Sequence, residues 1–199
     1  MTKESYHHGD LRQTIIEEAL KWIEKENIVS LSLRKIARQI GVSHNAPYRH
    51  FTDKESLLVA IAQIGFEQLH QALQQSLDSS DDWQKKLETI GVAYVEYAVN
   101  NQAYYRVMFS DGYRDCQKYP ELDRVSQEAY NVLFDVIKAG QSAKIFNSED
   151  SMQLTRVCWS LVHGVSMLAI DNQLMISDSA AVYELAKIAT RTMSKGVIR

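Results

Sequence analysis

The sequence contains few of the residues that would place it outside ordinary globular proteins. Only 2 of its 199 residues are Pro, 8 are Gly and 2 are Cys. So little Gly and Pro excludes a collagen-like chain, and an apolar content of 45% is too high for a disordered one. Two Cys far apart cannot form a disulfide scaffold and fit a reducing compartment. A chain of this length can bury a sizeable core in one or two domains.

A long apolar run is also missing. The longest candidate, 157–170, is interrupted by Ser160, His163 and Ser166 and falls short of the roughly 18 residues that a membrane span needs. The first ten residues lack the apolar segment of a secretory signal. We therefore expect a cytoplasmic protein without a membrane partner.

The sequence shows no strand-like alternation of useful length, whereas apolar residues recur at three- and four-residue steps almost throughout. This pattern predicts an all-α fold of about nine helices. The third follows Ser43 and is very short, and the fourth opens at Thr52 or Asp53. The others cover 10–25, 33–40, 87–98, 104–109, 120–140, 149–172 and 178–195.

Capping residues mark several of these boundaries. Asp10, Ser32, Ser43 and Ser148 each precede a predicted helix and are expected to act as N-caps. Gly41 follows the second helix, as expected for the residue after a C-cap. The polar stretch 76–82 is the clearest linker-like break.

The two short helices on either side of 41–43 have the layout of a helix-turn-helix. In that motif the second helix lies in the major groove and the first braces it across the DNA backbone. Val42 is expected to plug the turn, with Tyr48 and Phe51 packed inward. His44, Asn45, Ala46 and Arg49 then remain on the outer face. An ordinary αα corner has the same spacing, so spacing alone leaves both interpretations open.

Local charge favours the DNA-binding interpretation. The whole chain carries a net charge of −3, but 30–54 holds five basic residues and one acidic residue, a net +4. Divided after Lys54, the sequence carries +2 in 1–54 and −5 in 55–199. A local basic excess beside an outward polar helix is typical of phosphate binding. We therefore expect 1–54 to face DNA and 55–199 to form the body.

The segment 32–58 resembles the DNA-binding signature of the TetR family. The blocks that carry the resemblance are Ile36-Ala37, Gly41-Val42-Ser43, Tyr48-x-His50-Phe51 and Lys54-Glu55-x-Leu57. Pro47 is a departure, since the family often has Leu there. Because Pro lacks an N–H and is tolerated only near a helix start, it implies a short recognition helix.

The resemblance implies roles for individual residues. Phosphate contacts are expected from Tyr48, His50 and Lys54, with Arg34 and Ser43 as further candidates. Base readout would fall to His44, Asn45 and Arg49, because Arg reads guanine best and Asn reads adenine best. The alternatives are that Arg49 only holds phosphate and that His44 is simply solvated.

A symmetric dimer would place two such heads about one DNA turn apart. The resemblance implies that the last two long helices form this homodimer interface, and burial inside one protomer is the alternative. Candidate interface residues are Leu154, Leu161, Val165, Leu168, Leu185, Ile188 and Ala189.

Aromatic residues concentrate in the body: 10 of the 18 lie between Trp83 and Phe134, and seven of those are Tyr. Such a cluster can line a pocket for an aromatic or amphipathic ligand, or form a core with hydroxyls at its rim. The candidate pocket residues are Tyr94, Tyr97, Tyr104, Met108, Phe109, Tyr130, Phe134, Trp159, His163 and Met167.

Trp159, His163 and Gly164 resemble a TetR-family C-terminal domain variant that is named for those three residue types. Trp159 and His163 share a helix face, where they would hold the pocket wall or serve as core residues. The only nucleophile–base pair is Cys158 with His163, whose five-residue spacing is poor for catalysis. We therefore expect neither an enzyme nor a metal or cofactor site.

Together these patterns predict a DNA-binding domain over 1–54 and a helical effector-binding and dimerisation domain over 55–199. The expected function is that of a homodimeric transcriptional repressor released from a palindromic operator by a small-molecule effector. Ligand binding would tilt the fourth helix and change the separation of the heads. The main alternative is a constitutive DNA-binding regulator without a ligand pocket.

Overall fold

The computed structural model describes residues 11–77, 82–110, 118–176 and 178–198. These residues form eight α-helices and one 3-10 helix, with no strand beyond an isolated bridge between Phe146 and Ile198. The α-helices are α1 (Leu11–Lys25), α2 (Leu33–Gln39), α3 (Lys54–Ser76), α4 (Trp83–Asn100), α5 (Gln102–Met108), α6 (Pro120–Ser142), α7 (Ser151–Ile170) and α8 (Ser179–Val197). The predicted all-α class is confirmed.

The predicted third α-helix is instead the 3-10 helix Pro47–Arg49. The Ala46 N–H donates to the Ser43 carbonyl at 2.9 Å, and the His50 N–H donates to the Pro47 carbonyl at 3.0 Å. Pro47 has no N–H to contribute to an α-helical ladder, so the segment closes in tighter three-residue steps. The predicted N-cap role of Ser43 is wrong, because the helix follows Ala46 and has no side-chain cap.

Two other predicted N-caps can be compared with the structure. Ser32 caps α2, as expected, by accepting from the Lys35 N–H. Ser148 does not cap α7, because Asp150 takes that place and accepts from the Gln153 N–H at 2.9 Å. The predicted cap Asp10 lies outside the described residues.

Gly41 turns the chain between α2 and the 3-10 helix. Its φ of +72° lies in the left-handed region, which a residue without a Cβ adopts readily. The Gly41 N–H bonds the Arg38 carbonyl and the Val42 N–H bonds the Ala37 carbonyl, the pairing of a Schellman motif. The backbone therefore fixes the turn between the two elements.

The N-terminal head packs α1, α2 and the 3-10 helix onto the start of α3. Its core consists of Ile15, Ile16, Ala19, Ile23, Leu31, Leu33, Ile36 and Phe51. Asp53 opens α3 with a capping box: its carboxylate accepts from the Ser56 N–H, and the Ser56 hydroxyl accepts from the Asp53 N–H. Since α3 runs unbroken to Ser76, one helix belongs to both the head and the body.

The body is a helical bundle in which α3 packs on α4, α5 and α6, and α4 packs on α7 and α8. Helix α5 also contacts α1 of the head. None of the helices in the described part of the chain combines the length and apolarity that crossing a membrane requires.

Candidate DNA-reading surface and ligand cavity

Most of the predicted DNA-binding residues share one exposed surface of the head. The exposed members are Arg34, Ser43, His44, Asn45, Tyr48, Arg49 and His50, while Ala46 and Lys54 are half-buried. Helix α2, the Gly41 turn and the 3-10 helix bring them together over a short stretch of chain. The surface therefore offers Arg, His, Asn and Tyr side chains to a partner.

Tyr48 and Phe51 have different environments, although both were expected to pack inward. Phe51 is buried, and the Arg12 guanidinium lies 5.4 Å from its ring centroid. Tyr48 is 44% exposed, so the prediction of inward packing is wrong for this residue. The 3-10 geometry turns its side chain to the surface, where its hydroxyl is available to a phosphate.

Lys54 has a structural contact that the sequence did not indicate. Its ammonium donates to the Val29 carbonyl at 2.9 Å and so joins α3 to the α1–α2 loop. Partial burial, with a smaller contribution from Lys35, lowers the pKa of Lys54. The side chain therefore fixes the head on α3 in addition to its predicted role at DNA.

A cavity of about 570 Å³ opens in the body among α3, α4, α5, α6 and α7. Its apolar floor is formed by Phe66, Leu69, Leu73, Met108, Phe109, Leu122, Ala129 and Leu133. Tyr94, Tyr119, Tyr130, Met152 and Trp159 complete the wall, and polar side chains come from Asp123, Ser126, Gln127 and Arg156. An apolar pocket of this size with few polar groups is typical of small-molecule sites.

The predicted pocket residues divide into two groups. Those that line the cavity are Tyr94, Met108, Phe109, Tyr130 and Trp159. Tyr97, Tyr104, Phe134, His163 and Met167 are not among the lining residues. Tyr97 instead donates its hydroxyl hydrogen to the Gly65 carbonyl at 2.8 Å. The pocket interpretation therefore applies to Tyr94 and Tyr130, and the core interpretation applies to Tyr97.

Sequence reasoning missed the contribution of α3 to the cavity and, apart from Tyr130, the contribution of α6. The α6 residues recur at three- and four-residue steps, as Leu122, Ser126, Ala129 and Leu133 do. This recurrence was visible in the sequence, but an apolar helix face looks the same whether it lines a cavity or a packed core. The aromatic cluster alone therefore could not reveal these residues.

A chain of hydrogen bonds lies behind the cavity wall. The Trp159 indole N–H donates to the Tyr94 hydroxyl at 3.1 Å, and this hydroxyl lies 2.9 Å from that of Tyr105. The Tyr105 hydroxyl lies 2.7 Å from Nδ1 of His163. Three helices, α4, α5 and α7, thus meet at one polar cluster, and two of its side chains also face the cavity.

Burial governs the ionisation of the groups near this cluster. It raises the pKa of Tyr94 and of Tyr105 above the ordinary value, so both hydroxyls stay neutral hydrogen-bonding groups. Burial also raises the pKa of the Cys158 thiol to about 11, which favours the unreactive protonated form. The geometry therefore gives the Cys158–His163 nucleophile no support, since His163 Nδ1 faces the Tyr105 hydroxyl.

The predicted interface residues occupy different environments within the protomer. Leu161, Leu168 and Ile188 are exposed, whereas Val165, Leu185 and Ala189 are half-buried. Leu154 is buried in the protomer core. Val157, which was not predicted, is 63% exposed and lies one turn before Leu161 on α7. Part of the apolar surface of α7 and α8, including Val157, Leu161, Leu168 and Ile188, is thus exposed in an isolated protomer.

Two family models match the chain in the segments that form these features. Residues 15–61 match the tetR family of bacterial regulatory proteins. Residues 87–191 match the tetracyclin repressor-like C-terminal domain. The first match covers the head with its exposed surface, and the second covers α4 to α8.

A curated relative is similar to this chain and is also a transcriptional regulator. An HTH-type transcriptional regulator of Staphylococcus aureus is 28% identical over 94 residues, which cover 46% of this chain and 49% of that protein. The alignment thus spans about half the length of this curated relative.

Solved structures extend the similarity to the whole fold. A protein of unknown function from Rhodococcus sp. RHA1 has a TM-score of 0.81 at 26% identity, covering 99% of this chain and 100% of its own. The TetR family transcriptional regulator PfmR of Thermus thermophilus has a TM-score of 0.76 at 19% identity, covering 93% of this chain and 99% of its own. The chain belongs to the TetR family and is a DNA-binding transcriptional regulator.

Proposed function

We propose that the protein is a homodimeric repressor that leaves a palindromic operator when a small-molecule effector binds in the body. The cavity beside α3 carries this proposal. Phe66, Leu69 and Leu73 of α3 line it, and the same helix begins in the head at Lys54. A ligand in the cavity therefore touches a rigid element that also holds the DNA-reading surface.

The exposed surface of the head supports a division of roles at DNA. Arg49, Asn45 and His44 read base edges, because their side chains extend from the 3-10 helix and the turn before it. Tyr48, His50, Arg34 and Ser43 hold phosphates on either side. Lys54 contributes positive charge nearby while its ammonium bonds the Val29 carbonyl.

The apolar surface of α7 and α8 supports a symmetric dimer through these helices. Val157, Leu161, Gly164 and Leu168 recur at three- and four-residue steps along α7, and Ile188 is 60% exposed on α8. A Cβ placed on Gly164 would meet nothing within 4 Å in the protomer. The glycine therefore leaves room for close approach by a second copy, whereas Leu154 belongs to the protomer core.

One further contact supports coupling between the cavity and the head. The Lys118 ammonium lies 2.8 Å from a carboxylate oxygen of Glu55, in the first turn of α3. Hydrogen bonding to Lys118 lowers the pKa of that carboxyl. Tyr119, the next residue, lines the cavity. A ligand that displaces Tyr119 moves Lys118 and so perturbs α3 at the point where the head begins.

Operator selection from random duplexes with the purified protein tests this function. We expect a palindromic site, binding by a dimer, and release of the DNA by a fraction of cell metabolite extract. A coupling free energy of ~1–3 kcal/mol changes operator affinity about 5–150-fold. Selection of no sequence, or of a site without two-fold symmetry, contradicts the proposal.

A constitutive regulator is the second candidate, and the cavity weighs against it. Filling the cavity distinguishes the two: an Ala129→Trp variant places a large ring among apolar lining residues. The repressor proposal expects this variant to lose the response to the active extract fraction. Operator binding that never responds to any fraction, with or without the substitution, favours the constitutive regulator.

A further inference from the structure

The residues that line the cavity include one carboxylate and one guanidinium among mostly apolar side chains. Asp123 and Arg156 supply these charges, and they are the only Asp, Glu, Lys or Arg residues among the described residues that line it. Because the floor is apolar, the occupant needs an apolar body. The sign of the charge that the occupant carries depends on which of these two charged groups dominates.

Aromatic rings favour a positive charge in the occupant. Six of the seventeen described lining residues are aromatic, against 9% of the whole chain: Phe66, Tyr94, Phe109, Tyr119, Tyr130 and Trp159. Tyr130 and Trp159 stand nearly perpendicular, with centroids 6.1 Å apart, and Phe109 lies 6.3 Å from Trp159. A cation near aromatic faces is attracted by their quadrupoles, whereas an anion is repelled.

Asp123 forms no salt bridge with any cation among the described residues. Its neighbours on α6, Glu121 and Glu128, both form ion pairs with Arg124. The residue is half-buried, and its short side chain holds the charge at the wall.

Arg156 offsets the negative charge of Asp123 less strongly than its place among the lining residues suggests. It is exposed on α7, and a long exposed side chain can keep its charged end in water. The body as a whole adds to the effect of Asp123, since 55–199 carries a net charge of −5. The electrostatics of the cavity therefore favour a positively charged occupant.

We propose that the cavity binds apolar organic cations, with Asp123 as the counter-ion and the aromatic wall as the second source of attraction. The inference rests on the proposed function only in treating this cavity as the effector site. The occupant is a compact cation with aromatic or alkyl groups that fill the floor.

Tetraphenylphosphonium and tetraphenylborate test the inference, because the two ions have nearly the same size and shape and opposite charge. Titration calorimetry of the full-length protein should show tetraphenylphosphonium binding at least tenfold more tightly. Asp123→Asn should weaken tetraphenylphosphonium binding by about tenfold, the effect of losing one partly screened charge nearby. The control Glu128→Gln removes a carboxylate from the same helix outside the cavity and should leave binding unchanged.

Other outcomes overturn the inference. If tetraphenylborate binds more tightly and Arg156→Gln abolishes its binding, the cavity selects anions. Equal binding of both ions, or of neither, shows that the cavity does not recognise positive charge. Equal losses in Asp123→Asn and Glu128→Gln would assign the effect to net charge rather than to the cavity.

Failure of the proposed function is a separate result. Operator affinity is measured by fluorescence anisotropy without ligand and then with tetraphenylphosphonium. If the cation binds in calorimetry but leaves operator affinity unchanged, the inference about ligand class holds and effector control by this cation fails. If the ligand-free protein binds no operator, the proposed function fails whatever the calorimetry shows.

Discussion

The Tyr105 hydroxyl lies 2.7 Å from Nδ1 of His163, and the Tyr94 hydroxyl lies 3.1 Å from the same nitrogen. Two tyrosine hydroxyls, one from α4 and one from α5, therefore share one ring nitrogen on α7. The arrangement holds together the three helices that meet behind the cavity. Because Trp159 and His163 are four residues apart on α7, the indole and the imidazole lie on the same side of that helix, with ring centroids 5.4 Å apart.

Removing these hydroxyls should destabilise the protein non-additively. Tyr105→Phe should lower the free energy of unfolding by ~1–2 kcal/mol, because a buried hydrogen bond is lost. In each single variant the remaining tyrosine hydroxyl can still hydrogen-bond with His163, so Tyr94→Phe/Tyr105→Phe should lose more than the sum of the two single changes. Urea denaturation, monitored by circular dichroism, measures the free energy of unfolding of the two single variants and of the double variant.

A half-buried tyrosine with an exposed hydrogen bond provides the matched control for this cycle. Tyr183 donates to the Asn100 side chain at 2.8 Å on the surface. Tyr183→Phe should change the free energy of unfolding by less than about 0.5 kcal/mol, since surface substitutions usually do. Additive losses at Tyr94 and Tyr105 would contradict the shared role of the two hydroxyls.

Two arginines of the head should respond differently to substitution. Arg49→Ala should change which operator sequence is preferred, because a bidentate arginine contact to a base contributes ~1–3 kcal/mol of discrimination. Arg34→Ala should weaken all operators alike and reduce the slope of log affinity against log salt by about 1. Titrations of several operators at several salt concentrations measure both effects.

Lys138→Ala is the control for the arginine pair, because Lys138 is exposed near the end of α6, far along that helix from the head. It should leave both operator preference and salt slope unchanged. If Arg49→Ala weakens every operator equally, Arg49 holds phosphate and the alternative role is correct.

Gly164 should control dimer formation. Gly164→Leu adds a side chain at a position of α7 where a Cβ meets nothing within 4 Å in the protomer. We expect this variant to sediment as a folded monomer and to lose most of its operator affinity. Analytical ultracentrifugation and circular dichroism distinguish loss of dimer from loss of fold.

Gly91→Ala provides the contrast, because its Cβ would lie 2.5 Å from the Thr190 side chain at the α4–α8 contact. This variant should lower the melting temperature while the folded fraction keeps its oligomeric state. A dimeric Gly164→Leu protein with normal operator affinity would place the dimer contact elsewhere.

The positions of the long helices could be predicted because apolar spacing and capping chemistry act locally. The pattern around Pro120 predicted α6, and Asp53 was one of two residues expected to open α3. The 3-10 helix differs from prediction because one missing N–H at Pro47 outweighs the local helical pattern. Asp150 replaces Ser148 as a cap because either residue can accept from a backbone N–H, and only the path of the chain decides between them.

The sequence indicates a candidate site most directly where function requires exposed polar residues in a short segment. His44, Asn45 and Arg49 lie within one such segment, and all three are exposed. The cavity is assembled from residues more than 90 positions apart, from Phe66 to Trp159, whose proximity depends on tertiary packing. Lys54 similarly bonds a carbonyl 25 residues away, which its position in the motif did not indicate.

The Cys158 thiol should react only when the fold opens. Burial raises its pKa to about 11, so at pH 8 roughly one thousandth of the native thiol is ionised. In unfolded chains an ordinary thiol pKa of about 8.5 leaves roughly a quarter ionised at the same pH. In a Cys116→Ser background, alkylation by iodoacetamide should be slow in buffer and fast in urea.

The raised pKa of Cys158 also means that the free energy of unfolding declines as the pH rises above about 8.5, because the unfolded state then loses the thiol proton first. The Cys158→Ser chain in the same background should show no alkylation and a weaker decline in unfolding free energy between pH 8 and pH 10. Rapid native labelling at pH 8 would contradict the burial of this side chain.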